Sequence, residues 1–396
     1  MRKHFIVNKS KRNIIIVCPN LNRLGGGTSV CTWTIEALKN SYQIILITFS
    51  KVDINKLNKF TGANLKSNEF LIVRIPLPWV FRRIKGLDLI KKHIFYRLLR
   101  QRINSLNFPK TLLISIGDEV DINFGSTVIQ YVCWPALNKK FYKFQDSQIG
   151  KWYRSKIFRN FYLGICKWIS KFSEEKMKQN VTITNSEWTK KQIYKAYKIN
   201  SLVTYSPIKF DVSQIPWKEK ENGFLCIGTI TPEKEIEKII SILGKVRPKN
   251  NIHLHIIGRI QDTSYYRNKI SPLIKRNREW IFEEINIPRI RLNDLIAEHK
   301  YGIHGMQNEH FGRVIAEMIG GGCIVFVPRG GGQQEIVNYN KNLIYNDKQD
   351  AVEKIHKVLN NSELQMKLAE ELNVGKNRFS YESFCKKIKN LVSKYV

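Results

Sequence analysis

Long hydrophobic runs are missing from this chain of 396 residues. No stretch approaches the ~20 consecutive apolar residues of a membrane-spanning helix. The apolar run behind the basic start, Ile14–Val17, is too short for a signal peptide. Paired cysteines are missing too. Cys18, Cys31, Cys133, Cys166, Cys226, Cys323 and Cys385 are scattered without a C-x-x-C, several inside apolar, strand-like runs. That pattern fits reduced core residues and a cytoplasmic protein rather than a disulfide framework. Metal-binding spacings are equally sparse. His253 and His255 share a strand face by their period-two spacing, but no third ligand stands near them in the sequence, so no metal is expected there. There is no Walker A motif, no G-x-G-x-x-G, no short-period repeat and no low-complexity tract.

Acidic residues are scarce: 33 Asp and Glu face 66 Lys and Arg, a formal net charge of +33. Nucleic acid, an anionic membrane surface and phosphorylated substrates are the partners such an excess suits. A chain this rich in Lys, Ile and Asn also carries some of its lysine through coding bias. A nucleic-acid binder would concentrate its charge in a compact motif, and none of the usual ones is present, so nucleic acid is not an expected partner.

The length predicts two domains, each able to bury a core, and the hydrophobic fraction of 43% is ordinary for globular proteins. Asn13–Pro19 reads as a strand buried on both faces. The loop Asn22–Ser29, with Gly25, Gly26 and Gly27, leads to a helix predicted from about Val30 to Leu38. Strand, glycine loop and helix can cradle an anion, or they can simply make a tight turn. Strands are predicted at Tyr42–Phe49, Phe70–Pro76, Thr111–Ile116, Thr127–Val132, Val181–Thr184 and Leu202–Tyr205. Two long helical stretches, Ile84–Leu106 and Lys151–Lys178, mix apolar residues with dense Lys and Arg. The second carries Phe158, Phe161, Tyr162, Ile165, Trp168, Ile169 and Phe172, the pairing of rings and cations that an interfacial helix needs. Core packing of the rings is the competing reading. Ser186 is placed to cap the next helix. Residues 1–205 form the first predicted domain, 206–222 a linker, 223–376 the second domain, and 377–396 a terminal helix. Alternating strands and helices predict doubly wound parallel sheets, an α/β architecture.

The second half holds the most distinctive stretch, Gly302–Val327, GIHGMQNEHFGRVIAEMIGGGCIVFV. It reads as strand, loop, helix, glycine turn and strand. Glu309 precedes the helix and Glu317 lies inside it, eight positions on. Helical rise would separate them by on the order of 10 Å, enough to grip two hydroxyl-bearing parts of one ligand. His310, Phe311 and Gly312 fall where the helix should begin and its free amides can meet an anion.

This spacing resembles the E-x7-E pattern of retaining glycosyltransferases with the GT-B fold, family 4. The strings HGMQNEHFG and PRGGGQQEIV (Pro328–Val337) and the segment NSEWTKKQI are similar to those of the mannosyltransferases that extend dolichol-linked oligosaccharides. The resemblance implies two Rossmann-like domains facing across a cleft and a metal-independent site without cofactor; no D-x-D stands in a plausible loop. It implies transfer of a hexose from a nucleotide diphosphate sugar to a glycan or lipid-linked acceptor, in cell-envelope polysaccharide or lipid-linked glycan assembly. The pairing of rings and cations in the two basic stretches, rather than the resemblance, predicts a peripheral place on the cytoplasmic membrane face. Glu309 would contact the hexose and Glu317 the ribose. Lys234 and the amides after His310 would hold the diphosphate, with His304 ordering the loop or merely packing. Gly25–Gly27 and Gly331, in the turn Gly330–Gly332, would line phosphate and sugar. The chain departs from the pattern twice. Thr229, after Gly228, stands where the family has a phosphate-binding Arg, with Arg259 a candidate substitute, and Cys133 replaces a family His. A sugar-nucleotide epimerase or phosphorylase on the same fold is the alternative enzyme class.

Overall fold

The computed structural model describes residues 11–83, 87–103, 112–122, 125–138 and 155–396. The chain divides into two units, Met1–Pro207 with Tyr381–Val396, and Ile208–Ser380. Each is a parallel sheet flanked by helices.

In the first unit, β1 (Asn13–Val17) leads into α1 (Gly26–Leu38), β2 (Gln43–Thr48), α2 (Ile54–Thr61) and β3 (Phe70–Arg74). The short α3 (Trp79–Arg83) and longer α4 (Asp88–Arg102) precede β4 (Leu112–Gly117) and β5 (Thr127–Val132). Then come α5 (Lys156–Ser170), α6 (Glu174–Lys178), β6 (Val181–Thr184), α7 (Glu187–Tyr197) and β7 (Leu202–Val203). The strands lie in the order β3-β2-β1-β4-β5-β6-β7. Every residue of NIIIV in β1 is buried, because this strand has neighbours on both edges and apolar clusters over both faces of the sheet. A continuous apolar run is the sequence signature of such a strand.

The second unit holds β8 (Glu221–Ile227), α8 (Ile236–Val246), β9 (His253–Gly258), α9 (Thr263–Tyr265), α10 (Ser271–Arg276) and β10 (Ile281–Ile285). It continues with α11 (Arg289–Glu298), β11 (His299–Ile303), α12 (Arg313–Gly320), β12 (Ile324–Pro328), α13 (Gln333–Ile336) and β13 (Ile344–Tyr345). Two helices, α14 (Lys348–Leu359) and α15 (Ser362–Gly375), close it, and α16 (Tyr381–Val392) returns to the first unit. There α16 packs on α1, with Tyr381 stacked on Trp33 at 4.3 Å between centroids. The second sheet runs β10-β9-β8-β11-β12-β13. Both sheets therefore reverse direction beside their first strand, at β1/β4 and at β8/β11. Ligands of open α/β sheets sit beyond the carboxyl ends of the strands at such a point.

Several local expectations change. Helix α1 begins at Gly26, so two of the three glycines form its first turn rather than a loop before it. Residues 206–222 do not all link: the second unit starts at Ile208, β8 begins at Glu221, and the Lys220 ammonium is buried, donating to the Gly321 carbonyl at 2.8 Å. The stretch expected as one helix to Lys178 is two. Lys171, in the left-handed region at φ 51, ends α5, and Ser173 caps α6 by accepting from the Lys176 amide. The flanks of the two basic stretches at 84–86, 104–106 and 151–154 lie outside the described residues, as do the side chains of Arg82 and Arg83. Ser186 does cap α7, accepting from the Thr189 amide at 3.0 Å. No helix among the described residues is long and apolar enough to cross a membrane.

Candidate active site

Two loops at the carboxyl ends of β8 and β11 bring the central group together. After β8 the chain turns through Gly228 at φ 158 and Thr229 into a short 3-10 turn, Pro232–Lys234. After β11 it runs through His304 and Gly305 toward Glu309. The Lys234 ammonium donates to Glu309 Oε2 at 2.7 Å, and His304 Nε2 lies 3.5 Å from the same oxygen. Gly228, Thr229, Lys234, His304 and Gly305 line one small cavity. A side chain at Gly305 would strike the Lys234 carbonyl, at 2.4 Å from a Cβ. Only glycine lets these loops touch.

Electrostatics set the ionisation of this cluster. Burial raises the Glu309 carboxyl, but the charge of Lys234, with His304 and His310, outweighs it and holds the group well below the usual carboxylate range. Burial lowers His304 despite its contact with Glu309, and takes His310 to about 4. The Glu309 carboxylate is thus held ionised between two imidazoles whose protonation burial disfavours. A salt bridge this enclosed mainly fixes geometry, since desolvation offsets much of its attraction.

The loop carrying Glu309 is braced from the turn after β12. The Gly332 amide donates to the Glu309 carbonyl at 2.7 Å, and the Gln333 side-chain amide donates to the carbonyls of Met306 and Pro328 at 3.2 and 3.3 Å. Gly331 has φ 85, and a Cβ there would meet the Glu309 backbone at 2.6 Å. This glycine supports the loop by contact with its backbone.

Helix α12 starts at Arg313, behind Gly312 at φ 104. The eight positions between the two glutamates are therefore half loop and half helix, and the expected ~10 Å from continuous helical rise does not apply. At this start the Ile315 amide donates to the Gly312 carbonyl at 3.0 Å. Phe311 is not placed to touch a ligand with its ring: it is buried and packs edge-on against Phe379 at 5.7 Å. Glu317 is buried on α12 between two arginines. Arg289 Nη1 donates to Oε2 at 2.9 Å, and Arg313 Nη2 to Oε1 at 3.4 Å. Neither arginine is evident from the E-x7-E spacing. Arg313 is visible afterwards as an i, i+4 partner, while Arg289 is brought in from α11 by the fold.

The remaining candidates are described each in its own unit. Arg259 is exposed at the end of β9, with its carbonyl accepting from the Ile230 amide. Gly25–Gly27 belong to the first unit, at the turn from β1 to α1. Nothing lies within 4 Å of a Cβ built at Gly25 or Gly27, so neither packing nor a left-handed backbone demands glycine there. Cys133, in the same unit, has its thiol raised by burial to about 12 and cannot replace an imidazole as a proton carrier near neutral pH. The premise that His253 and His255 lack a third ligand fails: His299 joins them in the folded chain.

Residues 207–373 match glycosyl transferases group 1. Fold and domain together define the class: a glycosyltransferase group 1 domain in a chain of GT-B architecture. Over 97% of its length it is 25% identical to the human GDP-Man:Man(3)GlcNAc(2)-PP-Dol alpha-1,2-mannosyltransferase, of which it covers 88%. The protein of the same name from Dictyostelium discoideum is 25% identical over 91% of this chain and 80% of its own. Among solved structures, Anabaena HepE in complex with UDP and glucose superposes with a TM-score of 0.67 at 13% identity, covering 97% of this chain and all of the other. WaaG, a glycosyltransferase involved in lipopolysaccharide biosynthesis, gives 0.68 at 14% identity over 96% and 99%.

Proposed function

We propose that this chain transfers mannose from GDP-mannose to a lipid-linked glycan, with retention at the anomeric carbon and without a metal ion. The observation that carries the reading is the Lys234–Glu309–His304 cluster at the switch point of the second sheet, with Glu317 held by two arginines on the following helix. The sugar's anomeric carbon–oxygen bond breaks toward the diphosphate, and the acceptor oxygen bonds the same face. The departing diphosphate oxygen takes the acceptor's proton. The protein then has to position groups and spread charge rather than supply a nucleophile.

In this reading Glu309 accepts hydrogen bonds from hexose hydroxyls and Glu317 from the ribose. Lys234 has three donors, and only one is needed for Glu309, so it can bridge that carboxylate and a diphosphate oxygen. Amides at the start of α12 add to the phosphate site, and Arg259 is the exposed base available where Thr229 replaces the family's Arg. Gly25 and Gly27, where a Cβ would meet nothing within 4 Å, suit a backbone approached closely by phosphate. Donor and acceptor classes are carried by the names of the relatives.

A membrane-bound acceptor is supported by α5. Ile157, Phe161, Gly164 and Trp168 recur at helical spacing on its exposed face, joined by Phe158; Ile157 and Trp168 are each 79% exposed. Tyr162, Leu163 and Cys166 on the other face are buried. An outward apolar stripe on a strongly basic chain fits the headgroup boundary of an anionic membrane on its cytoplasmic face.

The test is incubation with GDP-mannose, UDP-glucose, UDP-galactose and UDP-N-acetylglucosamine, following nucleoside diphosphate release and the anomeric configuration of any product. Turnover of GDP-mannose with retained configuration, abolished by Glu309→Gln, is expected. Release no faster than in that variant with every donor would sink the proposal. A rearranged nucleotide sugar would favour the epimerase, and donor cleavage that requires inorganic phosphate the phosphorylase.

A further inference from the structure

At the opposite end of the second sheet, the first residues of three neighbouring strands converge. Glu221 opens β8, His253 opens β9 and His299 opens β11. His255, two residues along β9, projects to the same face as His253. One ring nitrogen from each histidine lies within 4.8 Å of the others. His253 Nε2 is 3.0 Å from His299 Nε2 and 3.2 Å from Glu221 Oε2, and Glu221 Oε2 is 3.9 Å from His299 Nε2. A zinc ion with tetrahedral ligands at ~2.0–2.1 Å spaces them about 3.3 Å apart. The His253–His299 and His253–Glu221 separations lie near that figure, while His299–Glu221 is wider and the His255 nitrogen lies within 4.8 Å of the other two.

Proton counting favours a cation over hydrogen bonds alone. His299 Nδ1 faces the Leu295 carbonyl at 2.8 Å, so it carries the proton, and Nε2 presents a lone pair. A carbonyl on the far nitrogen is the usual support for a metal-binding imidazole. Glu221 Oε2 is a second acceptor, so both compete for the one proton that a neutral His253 can place on Nε2. The site is also built for crowding. A Cβ at Gly223 would sit 2.2 Å from His253 Nε2 and 2.4 Å from His299 Cδ2, and Phe282 stacks on His255 at 5.0 Å.

We propose that His253, His255, His299 and Glu221 form a structural site for a divalent transition-metal ion of the zinc type. Imidazole nitrogens with one carboxylate select zinc over magnesium, which prefers oxygen ligands and octahedral geometry. The ion would pin the amino ends of β8, β9 and β11. Strand rise puts this on the order of 15–20 Å from the residues beyond their carboxyl ends, so the inference stands apart from the proposed transfer reaction.

The experiment uses the full chain without a polyhistidine tag, stripped with chelator and then titrated with Zn2+, Co2+ or Mg2+. One Zn2+ per chain, a higher melting temperature with Zn2+ but not Mg2+, and the intense visible bands of tetrahedral Co2+ are expected. His253→Gln, at a half-buried position, should weaken Zn2+ binding by at least ~100-fold, more than loss of a supporting partner does. Glu221→Gln, at an exposed position, should weaken it with unchanged circular dichroism, and it decides the matter if the histidine variant misfolds. Absence of sub-millimolar Zn2+ binding, an octahedral Co2+ spectrum, or equal affinity in Glu221→Gln and the wild type would overturn the site.

Discussion

Lys234 and Glu309 depend on each other, and this decides what their removal does. In Lys234→Met the Glu309 carboxylate keeps its burial but loses the charge that holds it ionised. Breaking an enclosed pair from one side costs about 3–5 kcal/mol, so the variant should melt several degrees lower. Its nucleoside diphosphate affinity should fall far more than its affinity for the free nucleoside, measured by calorimetry. Equal losses would remove Lys234 from the phosphate site. The pH response has a definite sign. With a folded-state value below the ordinary one, Glu309 contributes stability that is complete above the unfolded value near 4.5 and lost as pH falls through the folded value. In Lys234→Met that loss should begin closer to neutral pH. For Glu317, replacement by Gln preserves shape but removes the charge shared with Arg289 and Arg313. A hydrogen bond to a charged group is worth roughly 1.5–3 kcal/mol, so GDP affinity should drop about tenfold to a hundredfold. Unchanged binding of GDP, UDP and ADP would exclude the ribose role.

Among the described elements, α5 has an exposed face that contradicts its solvent. Phe161 and Trp168 are 68% and 79% exposed, so replacing both by Glu should leave the fold intact. Binding to anionic vesicles should be lost in that double variant, and weakened in the wild type by high salt, because each base near the surface contributes about 1 kcal/mol. Vesicle binding that ignores lipid charge or survives the double substitution would reject the membrane reading. The structure also sorts the rings that the sequence left mixed. Tyr162 faces the core, whereas Phe158, Phe161 and Trp168 do not. Dense lysine blurs the helical period, and only burial against α4 separates the faces.

Across the whole molecule, a buried imidazole in the first unit reports acid stability. His93 on α4 is lowered by burial to about 4, with Nδ1 2.7 Å from the Ser170 hydroxyl. Its folded value is depressed, so its contribution is full above the unfolded value of 6.5 and fades as pH falls from there toward 4. The melting temperature should decline over that window at constant ionic strength, and His93→Gln should flatten the decline. An unchanged pH profile in the variant would show that His93 does not carry it.

The sequence by itself determined the doubly wound class, most strand positions and the segment holding Glu309 and Glu317. Those features rest on local signals: continuous apolar runs for buried strands, glycines at tight turns and a spacing along one short stretch. Helix starts were less legible, because Gly26 and Gly27 have poor intrinsic helix propensity and tertiary packing overrides it in α1. Only the tertiary structure decided which charges neighbour which. Lys234 meets Glu309 across 75 positions, Arg289 reaches Glu317 across 28, and His299 faces His253 across 46. Parallel strands joined by helices make such neighbours out of residues far apart in the chain, and nothing in the local sequence encodes the register that unites them.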